Sequence, residues 1–503
     1  MHQQVYHSRD IQAWEQRWFS EQNSAYGLMQ QVAWSIAQRL DRLFKSEFQL
    51  KSSSHISKIR IAVWCGAGNN AGDGYCIASY LKQCGYQVEI FASAIGHSTV
   101  LKRAVEYAQQ NEVLIHQNFN MTQSFDCQID ALFGIGLNRD LNEIWQAIIQ
   151  NYNHQSGLKI SIDLPSGLNA NTGQPLPCAI RADRTFTILG LKAGLFTGQG
   201  KEYSGQVDVV SLIPKDQKLK PIAQLSSTQI QLPQRQAFGH KGSYGHVLVV
   251  GGHADMGGAV MMSAESAFSA GAGKVTIVCH AKHHTAILAR SPNIMIRDIN
   301  ALNSMDIQAL LGQVDAVCFG MGLGRDTWSE QQFFKWFPQV NASERLEVVL
   351  DADALWFLAL NPIQLRSNVY ATPHPGEAAK LLNCTVKDIE SDRIDAVQQL
   401  QQKYAGQWVL KGAGSLILQD ELWICTAGNA GMGTGGMGDV LAGMIASLKA
   451  QLHNIIQLHE IVTLHALAGD YLAEKGLWGL QAQHMNEAVY YVVNHTVEQD
   501  YLG

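Results

Sequence analysis

Short apolar segments that end in glycine or aspartate, each followed by a stretch of helical spacing, run along this chain in two series. That alternation builds a parallel sheet covered by helices on both faces. The first series covers residues 59–65, 88–91, 125–130 and 158–163, and the second residues 246–250, 274–279, 314–319, 347–351, 368–372 and 408–411. Between them, residues 213–238 carry Pro214, Pro221 and Pro233 among Lys and Gln, a composition suited to an extended connector. The chain has 503 residues, too many for one core. The expected fold class is therefore α/β with two doubly wound α/β/α domains, 1–213 and 239–503, joined by a connector at 214–238. Ahead of the first strand, Trp14, Trp18, Phe19, Leu28, Met29, Val32, Ile36 and Leu40 fall at helical spacing and predict helices.

Composition narrows the functional classes. A net charge of -6 leaves no basic excess for nucleic acid or anionic lipid. Charged residues are 16% of the chain, a low fraction that points to extensive internal surface and self-association. The polar N-terminus and the lack of any apolar run near 18–20 residues give no signal peptide or membrane span. Nine scattered cysteines without a CxxC pair suit a reducing cytosol and support no zinc ribbon. His280, His283 and His284 form an H-x-x-H-H cluster, but no acid completes it locally, so it reads as a solvated segment. Glycine outnumbers proline 45 to 11, which directs attention to tight strand-to-helix loops.

In the first half, GAGNNAGDG at 66–74 stands between a strand and a helix expected to run from Tyr75 to Cys84. Backbone amides there can cradle an anion, and Asn69, Asn70 and Asp73 add oxygen ligands for a hard cation and hydrogen bonds for ribose or amide groups. Asp130 and Asp163 stand at further strand ends. A parallel sheet aligns the carboxyl ends of its strands, so Asp73, Asp130 and Asp163 converge on one crevice unless each merely caps a turn. Lys192 is either the cation of that crevice or an ordinary surface lysine.

In the second half, GNAGMGTGGMGD at 428–439 is too rich in glycine for a helix or strand interior and must be a shaped loop. It opens a helix, where free N–H groups and the helix dipole favour a phosphate, and Asp439 is placed to take a proton from an attacking hydroxyl. The spacing is not that of a P-loop. HKGSYG at 240–245, GMGLG at 320–324, DADAL at 351–355, TPHPGE at 372–377 and KGAGS at 411–415 stand at other strand-to-loop junctions, the arrangement a nucleotide-dependent site requires.

Together these segments are specific. GAGNNAGDG, DALFGIG, DLPSGL and TFTILGLKAGL resemble NAD(P)H-hydrate epimerase domains. KGSYGHVLVVGG, GMGLG, DADAL, TPHPGEAAKLL, VLKGAGSLI and GNAGMGTGGMGDVLAG resemble ribokinase-like NAD(P)H-hydrate dehydratases. The order of the halves is that of the bifunctional NAD(P)H-hydrate repair enzymes, and the resemblance covers nearly the whole chain. It implies a Rossmann-like epimerase domain followed by a ribokinase-like ADP-dependent dehydratase domain, a cytoplasmic repair enzyme for hydrated NADH and NADPH, written NAD(P)HX.

Residue by residue, the resemblance places Asn69, Asn70, Ala71, Gly72, Asp73, Gly134, Ile135, Gly136, Leu137, Asn138, Arg139, Asp140 and Asp163 on the hydrate, with Asp163 as acid/base. It assigns Asn70, Asp130 and Ser166 to a K+ ion. In the second half it places Ala259, Gly322, His374 and Asp439 on the hydrate, and Lys411, Gly412, Ala413, Gly414, Ser415 and Gly438 on the adenine nucleotide. Asp439 is the catalytic base there, and Mg2+ shares the phosphate charge. ADP as donor is implied by the fused family, not by a residue. Departures from the family pattern are Ala71 for Gly, Met321 for Pro, Gln30 for Glu and a 252–257 segment without its aromatic. Ala71 is tolerable only at negative φ. Two other readings use the same residues: a small-molecule kinase of the ribokinase-like group fused to a non-catalytic nucleotide-binding domain, and a non-catalytic binding module.

Overall fold

The computed structural model describes residues 3–48, 56–93, 96–120 and 123–496. The described residues form two compact units that divide between Ala223 and Gln224.

In the first unit, a seven-stranded sheet runs in the spatial order Leu114–His116, Gln87–Ala92, Arg60–Cys65, Cys127–Ala131, Leu158–Ile162, Arg184–Ile188, Gln206–Val210, and every pairing is parallel. Numbered along the chain this is 3-2-1-4-5-6-7, so the order reverses between Arg60–Cys65 and Cys127–Ala131. Ligands bind in the crevice at such a switch point. The central strand shows why two helical layers form. Ile61, Val63 and Cys65 join a core with the helices Ala25–Glu47, Asn69–Gln83 and Thr99–Gln110. Ala62 and Trp64 join Ile149 and Tyr152 of Glu143–His154 on the other face. Period-two alternation thus buries both sides of one strand.

The expected helices near the N-terminus are present as Ser8–Ser20 and Ala25–Glu47, the second capped by the Ser24 side chain on Gly27 N–H. A different start marks the next helix. It begins at Asn69, not Tyr75, so Asn69 to Gly74 are helical residues. Gly72 and Gly74 make that possible by close packing: a Cβ on Gly72 would stand 2.5 Å from Met29 Cε, and one on Gly74 would stand 2.6 Å from Ala131 Cβ. Ala71 lies inside the same helix, outside the positive-φ residues, so its methyl group is unstrained.

In the second unit, the parallel strands Met295–Asp298, Lys274–Cys279, His246–Val250, Ala316–Phe319, Glu347–Leu350, Leu365–Ala371 and Ala405–Leu410 again follow 3-2-1-4-5-6-7. Antiparallel Leu416–Leu418 and Leu422–Ile424 extend the edge. Gln224 and Leu225, in the span expected to be a plain connector, pair in parallel with Trp423 and Ile424; alternating burial of Ala223 and Leu225 explains the strand. The helices Gly257–Ser269 and Met437–Leu452 cross closely because Gly443 has no Cβ, which would stand 2.1 Å from the Ser263 carbonyl oxygen. Ser263 and Ser266 hydroxyls donate to the Asp439 and Val440 carbonyls, 2.8 and 3.0 Å, fixing the start of Met437–Leu452. Met321, the departure from proline, is fully buried in the core, where its thioether packs. No described helix is long and apolar enough to cross a membrane, and all nine cysteines are free.

Candidate active sites

A cavity of about 550 Å³ opens at the switch point of the first sheet. Asn69, Asn70 and Asp73 reach it from the first turns of Asn69–Gln83, Gly134 to Arg139 from the loop after Cys127–Ala131, and Asp163 from the end of Leu158–Ile162. Ala71 and Gly72 are not among its lining residues; they face the helix Ala25–Glu47 in the core, because helical periodicity turns them away from Asn70 and Asp73. Asp140 is exposed and also outside the lining.

Asp163 is held tightly. It adopts φ +67, a conformation that Asp tolerates better than most residues. Its Oδ1 accepts from Lys192 Nζ at 2.5 Å and from Ile188 N–H at 3.1 Å, and Oδ2 accepts from Ile135 N–H at 3.2 Å. Lys192 is 0% exposed, which settles its alternatives against a surface lysine. It also donates to Thr187 Oγ1 and the Ile188 carbonyl, at 2.9 and 2.8 Å. A buried charge fully bonded in this way depends on its partners. Lys192→Met is expected to destabilise the first unit by about 3–5 kcal/mol, checked by urea denaturation.

Asp130 is fully buried, and burial raises its pKa to about 6 against the opposing bonds from Ser166, Leu132 and Ser161. Ser166 Oγ donates to Asp130 Oδ1 at 2.6 Å and accepts from Phe133 N–H at 2.8 Å. Asp130, expected in the crevice with Asp73 and Asp163, is not among the residues that line it, and neither is Ser166; Asn70 lines it and is buried with both amide atoms unpartnered. Its Cβ and Cγ lie 3.4 Å from the position of a Cβ on Gly134, which would also meet Asp163 Oδ2 at 3.1 Å. Asp73 is buried, and its pKa stands well above the ordinary value through desolvation, then Asp163 and Glu15.

The first helices supply wall residues that sequence reading missed: Ile11, Gln12, Glu15, Phe19, Leu28 and Val32. Only their period of about four residues hinted that one face met the sheet edge.

The second unit gathers charges at the same edge. Asp439 lies in the first turn of Met437–Leu452, after Gly436 at φ +93. Its pKa is pushed up to about 7 by burial and by Asp351, against the attraction of Lys411. Lys411 Nζ bonds Asp351 Oδ1 at 2.7 Å and lies 4.0 Å from Glu377. Gly438 packs on this pair: a Cβ there would stand 2.9 Å from Lys411 Nζ and 3.2 Å from Asp351 Oδ2. His374 caps Pro375–Leu382, its Nδ1 accepting from Gly376 and Glu377 N–H, while Glu377 Oε2 accepts from His374 N–H at 2.8 Å. Burial, then Lys411, lowers the His374 pKa. Burial lifts Glu377 to about 7 against Lys411.

Gly322, at φ +56, lies against Ala259: a Cβ there would stand 3.3 Å from the Ala259 methyl and 2.5 Å from the Met256 carbonyl oxygen. The nearby Gly324 N–H and Arg325 Nε both bond Asp353, at 2.8 and 2.7 Å. Gly412 is at φ +138, over the buried Arg393 guanidinium, which donates to the Leu410 and Lys411 carbonyls. Ala413 is exposed, Gly414 is buried, and Ser415 Oγ donates to the Gly412 carbonyl at 3.0 Å. Asp470 holds the glycine loop by accepting from Gly428 N–H at 2.9 Å and Asn429 Nδ2 at 2.8 Å. Arg325, Arg393 and Asp470 were not singled out from sequence, since each acts on a loop far along the chain.

Residues 25–194 match the family model described as YjeF-related protein N-terminus, and residues 247–490 match the one described as NAD(P)H-hydrate dehydratase. The bifunctional NAD(P)H-hydrate repair enzyme Nnr of Escherichia coli K12 is 36% identical over 82% of this chain and 80% of its own length. Its counterpart in Coxiella burnetii is 35% identical, covering 83% and 86%. Among solved structures, a ribokinase-like superfamily protein from Enterococcus faecalis matches at TM-score 0.50 and 27% identity, over 54% of this chain and 94% of its own. The chain belongs to the family of bifunctional NAD(P)H-hydrate repair enzymes.

Proposed function

We propose that the first unit interconverts the R and S forms of NAD(P)HX, and that the second dehydrates the S form to NAD(P)H while ADP becomes AMP and phosphate. The observation that carries this reading is that each unit sets an acid near a buried or half-buried lysine at the carboxyl edge of its sheet: Asp163 bonded to Lys192, and Asp439 within the electrostatic reach of the Lys411–Asp351 pair.

In the first site, Asp163 is the acid/base at the hydrated carbon. Asn69, Asn70, Asp73 and Gly134 to Arg139 hold the nucleotide along the cavity. K+ would be held by Asn70, Asp130 and Ser166: the amide oxygen of Asn70 is unpartnered, and the Ser166–Asp130 pair offers hydroxyl and carboxylate oxygens, the donor chemistry that suits K+. Bound there, K+ would supply positive charge that favours the Asp130 carboxylate.

In the second site, Ala259, Gly322 and His374 position the hydrate. Asp439 takes the proton of the ring hydroxyl, whose oxygen attacks the terminal phosphorus of ADP as the bond to AMP breaks. Amides near Gly436 and Gly438, with Lys411, face the developing charge, and Lys411 to Ser415 hold the nucleotide. The ring nitrogen's electron pair then expels phosphate, and loss of the neighbouring carbon's proton completes NAD(P)H. Among the described residues no group of three or more His, Cys, Asp or Glu is placed to hold a metal, so Mg2+ would be carried by the nucleotide's phosphates. The reading places the protein in the cytosol, as a self-associating enzyme.

The test is stoichiometry. With (S)-NADHX and ADP, AMP, phosphate and NADH are expected in equal amounts. Phosphorylation of a stable alcohol without NADH formation would favour the kinase reading instead.

A further inference from the structure

We infer that Glu15 is the second proton-transfer residue of the first site, the acid that works across the cavity from Asp163. The inference rests on the epimerase reading of that site.

Glu15 lies on the helix Ser8–Ser20, and the spacing of Ile11, Glu15 and Phe19 by four residues puts all three on one face, where they line the cavity that Asp163 also lines. The next helix brings the apolar Leu28, Met29 and Val32 to the same lining. Among the described residues its carboxyl group makes no hydrogen bond or ion pair, so no structural role accounts for its partial removal from water. The ionisable groups facing it are Asp73, Asp163 and Lys192. Desolvation, then Asp163, raises its pKa, and Lys192 opposes them. The two acids therefore differ in kind. Asp163 accepts three hydrogen bonds from an ammonium and two backbone amides, whereas Glu15 accepts none among the described residues, and desolvation favours its neutral form. Such pairs divide into acid and base.

Ring opening uses both. On this route the hydrated carbon is inverted when its bond to the ring nitrogen breaks and re-forms on the other face. Asp163 takes the hydroxyl proton, the oxygen's electrons form the aldehyde C=O, and the carbon–nitrogen bond breaks. The bonding pair goes to nitrogen, which takes the proton of Glu15. After rotation about the adjacent carbon–carbon bond, nitrogen adds to the opposite face and returns its proton to Glu15, while Asp163 returns its proton to oxygen. No atom or electron is gained or lost.

The test compares wild type, Glu15→Gln and Glu15→Asp by chromatographic exchange of separated NADHX epimers, without ADP. Glu15→Gln is expected to lower kcat for exchange about 100-fold or more and to change KM by less than about threefold. It is also expected to abolish the alkaline fall in rate that comes from loss of the acid form. Glu15→Asp is expected to recover part of the rate. Dehydration of the S epimer by the same preparations, which uses the other unit, should be unchanged. Exchange by Glu15→Gln at the wild-type rate, or a raised KM at full kcat, would overturn the inference. If Glu15→Gln does not fold, Glu15→Asp decides: its alkaline limb should move from the wild-type position, and an unmoved limb overturns the role. Failure of the wild type itself to exchange epimers would overturn the reading of the site, and the inference with it.

Discussion

Asp439→Ala is expected to lower NADH formation from (S)-NADHX by about 10³-fold or more, while exchange of the epimers continues at the wild-type rate. The variant removes the one acid in the first turn of Met437–Leu452 and leaves the amides and Lys411 in place, so nucleotide affinity should change little. Asp439→Asn should fall as far, because it keeps the shape and loses the base. The wild-type pH profile gives the sign. A base must be ionised to accept a proton, and Asp439 is pushed up to about 7 by burial and Asp351. The dehydration rate should therefore drop as pH falls through about 7. A rate that is flat from pH 6 to 8, or an active Asp439→Asn, would contradict its role.

Asp163→Asn should have the mirror-image effect, a fall of about 10²–10⁴-fold in epimer exchange with dehydration of pure S hydrate retained. Asparagine is the informative replacement, since alanine would leave Lys192 buried without its 2.5 Å partner and risk unfolding the unit. Loss of both activities in Asp163→Asn would instead mean that the two units depend on each other.

Much of the fold was legible because many strands announce themselves by an apolar run and by the Gly or Asp that ends it, although Leu114–His116, Arg184–Ile188, Gln206–Val210 and Met295–Asp298 were not among the expected strands. Strands expected at 246–250 and 274–279 are observed at those residues. Helix starts were less legible. Asn69 to Gly74 read as a loop, since glycine is a poor helix former, yet Gly72 and Gly74 are there to let the helix touch Met29 and Ala131. The acids at strand ends were found because parallel topology alone aligns them. Lys192 stayed ambiguous because its burial depends on Thr187, Ile188 and Asp163, which only the folded backbone brings around it. Glu15 was invisible for a related reason. On an amphipathic helix a glutamate reads as solvent-facing, and only the position of that helix against the sheet edge turns it into the cavity. Both units share the strand order 3-2-1-4-5-6-7 without a visible sequence repeat, since strand order is set by connection handedness and burial and not by particular side chains.

The central claim is that the two units act in series on one hydrated nucleotide, and a single absorbance trace tests it. An equal mixture of R and S NADHX is mixed with the protein, ADP, Mg2+ and K+, and NADH is followed over a time short against the spontaneous exchange of the epimers. The expected result is complete conversion of both epimers by the wild type, with Asp163→Asn stopping near one half. Wild-type conversion that also stops near one half, or no NADH at all, would contradict it.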